Sequence, residues 1–190
     1  RLREELRDTD RTHWSDVTIS SVDSKKNAGL IGKTVTEIAA LRETDEGTAV
    51  LDLLAEENAA VNIVSFNQSE ENLRRLITHE LCSVITDGFY VKGQPHPRLH
   101  GTYPELLGKL VRDRGWLTLS EAVHKSSKKP AARLNLTQRG LLKRDYAADI
   151  VVFDAAKISS AATYTNPTLD PSGVSLVIKS GKIAFQSMLA

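Results

Sequence analysis

The chain has 190 residues, with 25 Lys and Arg against 24 Asp and Glu, and a net charge of +1. Its hydrophobic content of 41% suffices for a packed core and excludes a wholly disordered chain. The balanced charge without a basic stripe argues against a nucleic-acid partner, and no apolar run is long enough to predict a membrane partner. The single cysteine, Cys82, cannot form an internal disulfide, so we expect a reducing, cytoplasmic location.

The first part of the chain alternates strands with helices. Residues 1–9 lack an initiator methionine and already have helical spacing, so we expect a helical end inside a longer protein. β-branched residues predict a strand over 17–22. Thr34 and Glu37 form a capping box that opens a helix, and a second helix is predicted over 47–57.

The same alternation continues as far as Gly88. We predict a strand over 61–66, a helix that begins after Ser69, and a strand over 82–86. Three strands that alternate with helices are typical of right-handed βαβ units, so we expect a parallel sheet. A long loop over 88–101 follows the third strand.

Two helices and a change of pattern follow this loop. One helix is predicted over 103–114, and the other begins at Thr118 or Ser120 and ends near Lys128. From Asp145 onward, short strands with an antiparallel character replace the helices. These strands are predicted over 148–154, 174–178 and 182–185. We expect Asp149, which precedes the first of them, to fix its start through backbone hydrogen bonds.

Asp87 ends a short apolar run and is followed by Gly88. In a parallel α/β protein this position is the C-terminal end of a strand, where (β/α) barrels assemble their active sites. Asp87 is therefore a candidate catalytic residue. An Asp-Gly pair is also a common turn, and the residues alone favour that structural alternative.

His96 and Arg98 lie in the Pro- and Gly-rich loop after Asp87 and are candidate substrate-binding residues. Arg98 has the fork geometry to pair with a substrate carboxylate. It can equally tie the loop to the rest of the protein, and we favour that structural role. His96 can likewise serve only to stiffen the loop beside Pro97.

Several motifs in one order resemble the amidohydrolase superfamily. Its closing segment is matched by 130–134, 137–142, 148–154 and 177–182. Four further segments resemble one branch of the superfamily, the N-acyl-D-amino-acid deacylases (D-aminoacylases). These segments are 86–88, 96–98, 101–104 and 107–108. The pattern departs at Arg144-Asp145, where the family has a glycine before the aromatic residue.

The resemblance implies an α/β fold that is part of a metal-dependent hydrolase. Residues 1–144 would be the last strands and helices of a TIM-type (β/α) barrel, and 145–190 would be strands of a small β-sandwich domain. The full-length parent would use zinc to hydrolyse the amide C–N bond of a small-molecule N-acyl-D-amino acid. Asp87 matches the general acid/base that takes a proton from metal-bound water and delivers it to the leaving amine.

The histidines of this chain do not supply the metal site that the family requires. None of them forms a His-x-His pair or a His-x-x-Glu-His-type spacing, so this chain alone should keep neither the zinc nor the activity. The histidines are His13, His79, His96, His100 and His124.

Two alternative functions stay open at this point. One is a cyclic-amidase or dihydroorotase-like hydrolase of the same superfamily, and the other is a non-catalytic scaffold or assembly remnant. About three strands cannot close a barrel, which leaves a sheet edge and an apolar face uncovered. We therefore expect a homo-oligomer.

Overall fold

The structure is a computed structural model that describes residues 13–90 and 95–187. The helical end predicted for 1–9 lies outside these residues. The described residues form two compact units: the first contains 13–68, 88–90, 95–96 and 164–166, and the second contains the other described residues. The domain boundary expected between residues 144 and 145 was placed where short strands replace helices in the sequence, and it stays a prediction.

The first unit combines a two-stranded sheet with two helices. Its elements are β1 (Val17–Val22), α1 (Val35–Leu41), α2 (Glu46–Glu56) and β2 (Val61–Ser65), with 3₁₀ turns at Trp14–Asp16 and Ala28–Leu30. The predicted capping box is confirmed, since the Thr34 side chain accepts from the Glu37 amide and Glu37 accepts from the Thr34 amide. Apolar side chains from β1, α1 and α2 form the core.

The strands β1 and β2 are antiparallel, so the predicted parallel pairing is wrong for these two strands. Their register pairs Val22, the last residue of β1, with Val61, the first residue of β2. The two intervening helices bring the chain back to the end where β1 stops. A single crossover helix would have returned the chain to the opposite end and given a parallel pair.

Glu57 links the end of α2 to the loop after β1. Its carboxylate accepts hydrogen bonds from the Ser24 amide at 2.8 Å, the Ser24 hydroxyl and the Asn27 side chain at 2.6 Å. These hydrogen bonds lower the pKa of Glu57 from 4.5 to about 2, with the Ser24 hydroxyl making the largest contribution. The residue is buried, so its negative charge depends on these donors.

The second unit contains the remaining helices and a three-stranded sheet. Its elements are α3 (Glu70–Thr78), α4 (Arg98–Glu105), a π-helix (Leu106–Asp113), α5 (Leu119–Ser126), α6 (Lys128–Arg133), β3 (Ile150–Phe153), β4 (Val174–Lys179) and β5 (Lys182–Gln186). The predicted caps at Ser69 and Thr118 are confirmed. No helix in the described ranges is long and apolar enough to span a membrane.

Of two predictions for the middle of the chain, one is confirmed except for its start and the other is wrong. The helix expected over 103–114 begins earlier, at Arg98, directly after Pro97. It changes to π-helical geometry after Pro104, whose nitrogen has no proton to donate within the helix. The strand expected over 82–86 does not form, because the Val84 amide donates to the Lys125 carbonyl of α5 and not to a neighbouring strand.

The closing sheet confirms the antiparallel strands predicted after Asp145. Its order is β3-β4-β5. The turn between β4 and β5 has positive φ at both central residues, 49° at Ser180 and 78° at Gly181, as a two-residue hairpin requires. The Ser180 amide donates to the Asp149 carboxylate at 2.8 Å, so the predicted backbone contact of Asp149 is confirmed.

Two glycines allow α4 and the π-helix to lie against the segment around Ile158. A Cβ at Gly108 would overlap the Ile158 carbonyl oxygen, whereas a Cβ at Gly101 would meet the Ser160 side-chain hydroxyl. Arg112, one turn after Gly108, donates to the same Ile158 carbonyl at 2.7 Å. The helical run is therefore fixed to this segment by close backbone approach and one charged donor.

We expect Gly108→Ala to destabilise the chain by about 2 kcal/mol or more, because a backbone carbonyl cannot move aside. Gly101→Ala should stay within about 1 kcal/mol of the original chain, since the Ser160 hydroxyl can rotate and alanine favours the helix. Urea unfolding of both variants measures the difference. Equal losses for both variants would contradict the close approach at Ile158.

We expect Glu57→Gln to lower Tm at neutral pH, because the amide cannot accept all the hydrogen bonds of the carboxylate. The folded-state pKa is lowered, so the stabilisation is complete above pH 4.5 and is lost as the pH falls towards about 2. The Tm difference between the two proteins should therefore shrink over this pH range. Glu43→Gln, at an exposed carboxylate, is the matched control. A constant Tm difference down to pH 2 would contradict the role of Glu57.

Candidate active site

Asp87 and Arg98 form an ion pair in the second unit. The Arg98 Nη2 atom lies 3.1 Å from the Asp87 Oδ2 atom. The Asp87 side chain is 70% exposed, and its backbone has a left-handed φ of 44°. Aspartate tolerates this conformation better than most residues, so the backbone agrees with the turn predicted for Asp87-Gly88. The carboxylate itself is accessible to a solute and held by a guanidinium.

Arg98 is the first residue of α4, and its main-chain carbonyl accepts from the Thr102 hydroxyl at 2.8 Å. Its side chain is 37% exposed, so the guanidinium reaches Asp87 from a partly shielded position. The ion pair with Asp87 is compatible with the structural role favoured for Arg98, which stays a prediction. Its binding of a substrate carboxylate stays a prediction.

His96 lies in the first unit, within an aromatic cluster. Its ring meets Tyr164 edge to face, with centroids 5.3 Å apart, and Tyr164 meets Phe66 at 4.6 Å. The structure therefore brings Asp87 and Arg98 together and assigns His96 to a separate unit. A substrate-binding role for His96 stays a prediction.

The segment before Asp87 is held by a residue that the sequence analysis missed. The Lys125 carbonyl accepts from the Val84 amide at 3.0 Å, and the Lys125 ammonium group donates to the His79 carbonyl. Lys125 is buried although it is a lysine. It follows buried Ala122 by three residues, which places it on the buried face of α5. The sequence signal that could have revealed this burial is the spacing of three residues between Ala122 and Lys125 on a predicted helix.

The residues that the structure describes do not fit a zinc ion by themselves. Within 13–90 and 95–187, no three side chains of His, Cys, Asp or Glu come together as a ligand group. The Nδ1 atom of His79 accepts from the Leu81 amide at 3.2 Å, and that of His100 lies 3.8 Å from an Asp170 carboxylate oxygen. Zinc usually takes four ligands in a structural site and three protein ligands in a catalytic site.

Comparison with known proteins tests the family suggested by the motifs. A model of the Amidohydrolase family matches residues 42–185, which is well over half of the chain. The chain belongs to the amidohydrolase family. The match includes Asp87, Arg98 and Lys125 and extends through the hairpin of β4 and β5.

Individual relatives show which members of the amidohydrolase family this chain is similar to. It is 37% identical over 154 residues to an N-acyl-D-glutamate deacylase and 35% identical over 157 residues to a D-aminoacylase, both from Alcaligenes xylosoxydans xylosoxydans. The matches cover 81% and 83% of this chain, and 30% and 31% of those relatives. The chain thus spans about a third of the length of these relatives.

A solved structure shows the same similarity in three dimensions. It is the N-acyl-D-glutamate deacylase from Bordetella bronchiseptica, in complex with zinc and a phosphonate inhibitor that mimics the tetrahedral intermediate. The TM-score is 0.85 at 29% identity, over 97% of this chain and 36% of the Bordetella chain. The similarity therefore includes nearly every element described above.

Proposed function

We propose that this chain is the C-terminal part of a metal-dependent amidohydrolase that hydrolyses the amide C–N bond of N-acyl-D-amino acids. The observation that carries the proposal is its 37% identity to a deacylase of this type over 81% of the chain. The cyclic-amide alternative is less favoured, since the relatives above are deacylases or aminoacylases. The scaffold alternative is less favoured for the same reason, because these relatives are enzymes.

In the whole enzyme, we propose that residues 1–144 contribute the last part of a (β/α) barrel and 145–190 contribute strands of a small β-domain. Residues 82–86 form no strand within the described residues, so Asp87 would stand at the end of a barrel strand only where the rest of the enzyme supplies strands that pair with them. The exposure of apolar side chains before it supports this placement, since Leu81 is 75% exposed and Ile85 is 64% exposed. Side chains of this type are normally covered by neighbouring elements.

Asp87 is the proposed general acid/base. Its carboxylate takes a proton as the oxygen of a water molecule bonds to the acyl carbon, and it delivers that proton to the nitrogen as the C–N bond breaks. The products are a carboxylic acid and a free amino acid. Arg98 orients the Asp87 carboxylate through their 3.1 Å contact, and we propose that its guanidinium also attracts the substrate carboxylate.

We propose that the whole enzyme uses zinc, as the zinc complex of the Bordetella relative suggests. The described residues of this chain offer no ligand group for the ion, so no step of the reaction is assigned through it. The other partners proposed are a small-molecule N-acyl amino acid and a further copy of the chain. The cytoplasmic location also stays a prediction.

Asp87→Asn should lower kcat of the full-length enzyme at least about a hundredfold, which is the usual scale for loss of a general acid/base. Asparagine tolerates the left-handed backbone as well as aspartate does, so a turn-forming role would leave kcat unchanged. Asp145→Asn is the matched control, because Asp145 is also exposed and has a φ of 66°. Near-normal turnover of Asp87→Asn would return Asp87 to the role of a turn former.

The 190-residue chain should release no amino acid from an N-acyl-D-amino acid, even with added zinc, because its described residues provide no ligand group. Free amino acid is measured by a colorimetric amine assay, with and without a chelator. Release that needs zinc and stops on chelation would show that this chain holds a complete site.

A further inference from the structure

Lys125 is a buried cation in a helix whose other basic residue, His124, is exposed. It retains 6% of its accessible surface and lies in the last turn of α5. Glu121, one turn earlier, has a lowered pKa, mainly through hydrogen bonds from Thr118 and further through the charge of Lys125. Burial of a lysine costs free energy unless its ammonium group finds good acceptors. A specific task for Lys125 would explain its burial.

The contacts of Lys125 show which segment it holds. Its ammonium group donates to the His79 carbonyl, and its own carbonyl accepts from the Val84 amide at 3.0 Å. Lys125 thus contacts both ends of the segment 79–84, His79 through its side chain and Val84 through its main chain. The Cys82 amide also donates to the His79 carbonyl, at 3.1 Å, so this oxygen is shared between the segment and the lysine.

The segment leads directly to the proposed catalytic carboxylate. Val84 packs against the apolar cluster around Leu106 and Leu110, and Asp87 follows it by three residues. On its far side, Asp87 is held by Arg98. The backbone before Asp87 is therefore fixed by Lys125, while its side chain is fixed by Arg98.

We propose that Lys125 is a positioning residue for Asp87, which holds the segment 79–84 so that the carboxylate keeps its place in the active site. The inference rests on the proposed function, because it assumes that Asp87 transfers the proton. Lys125 itself touches neither substrate nor reacting atoms. Hydrogen bonds to a charged donor are stronger than neutral ones, so one buried ammonium group can replace several neutral contacts.

The first test measures amide hydrogen exchange by NMR in the 190-residue chain. Lys125→Met removes the charge and keeps the length of the side chain. The main-chain carbonyl that accepts from Val84 is kept, so the variant should speed the exchange of the Cys82 amide, whose acceptor is the His79 carbonyl, about tenfold relative to amides of α3. Lys128→Met, at an exposed lysine nearby, is the matched control and should change nothing. Lys125→Gln serves the same purpose if Lys125→Met does not fold. Unchanged Cys82 exchange in a folded Lys125 variant would overturn the proposal.

The second test separates positioning from general stability in the full-length enzyme. Lys125→Met should lower kcat about tenfold or more with little change in KM, and Lys125→Arg should restore much of kcat because it keeps the charged donor. A lower Tm with unchanged kcat per folded molecule would show a merely structural role and overturn the proposal. If the unmodified full-length enzyme does not cleave N-acyl-D-amino acids, the proposed function fails. Hydrogen exchange then still decides whether Lys125 holds the segment.

Discussion

The placement of Asp87 depends on main-chain and side-chain contacts to two helices, because no strand within the described residues pairs with the segment before it. Lys125 of α5 holds the backbone at Val84, and Arg98 of α4 holds the carboxylate. A hydrogen-bonded ladder would have fixed every second residue of this segment. In this chain a few polar contacts fix the segment instead, so the position of Asp87 depends more strongly on each of them.

The helical run that begins at Arg98 is itself fixed by close packing. Gly108 allows the π-helix to approach the backbone at Ile158, and Arg112 donates to the same carbonyl. Ile158 is almost fully buried, at 2% exposure. The glycines of the motif that resembles the deacylase branch thus have a physical task, since they fix the helical run whose first residue contacts Asp87. The motif combines packing and chemistry in one stretch of chain.

Local signals predicted the local structure well. The helix starts at Thr34, Ser69 and Thr118 were predictable because each cap is a local interaction. The side-chain oxygen of the capping residue accepts a hydrogen bond from the amide three residues later. Asp145 has a φ of 66° where the resemblance expects glycine, which gives a physical reason for that glycine. The direction of β2 depends on the end of β1 to which the two intervening helices bring the chain. The residues of the strand itself do not determine that end.

The site was predictable only in part. Asp87 was found from its place after an apolar run, and the resemblance gave it a role. The contact with Arg98 was one of two alternatives that the sequence left open. Lys125 was missed because charged residues on helices are expected in water, and only the packing of α5 shows that this one is buried. The strand over 82–86 was wrong because apolar, β-branched residues show a strand's composition and not its partners.

The central claim, that Asp87 transfers the proton, is tested most directly by chemical rescue. Asp87→Ala in the full-length enzyme removes the carboxylate and leaves space for a small one. The account predicts that turnover of an N-acyl-D-amino acid is lost and then rises with added formate, because formate can carry the same proton. Turnover of Asp87→Ala that is close to normal without formate, or that does not respond to it, would contradict the account.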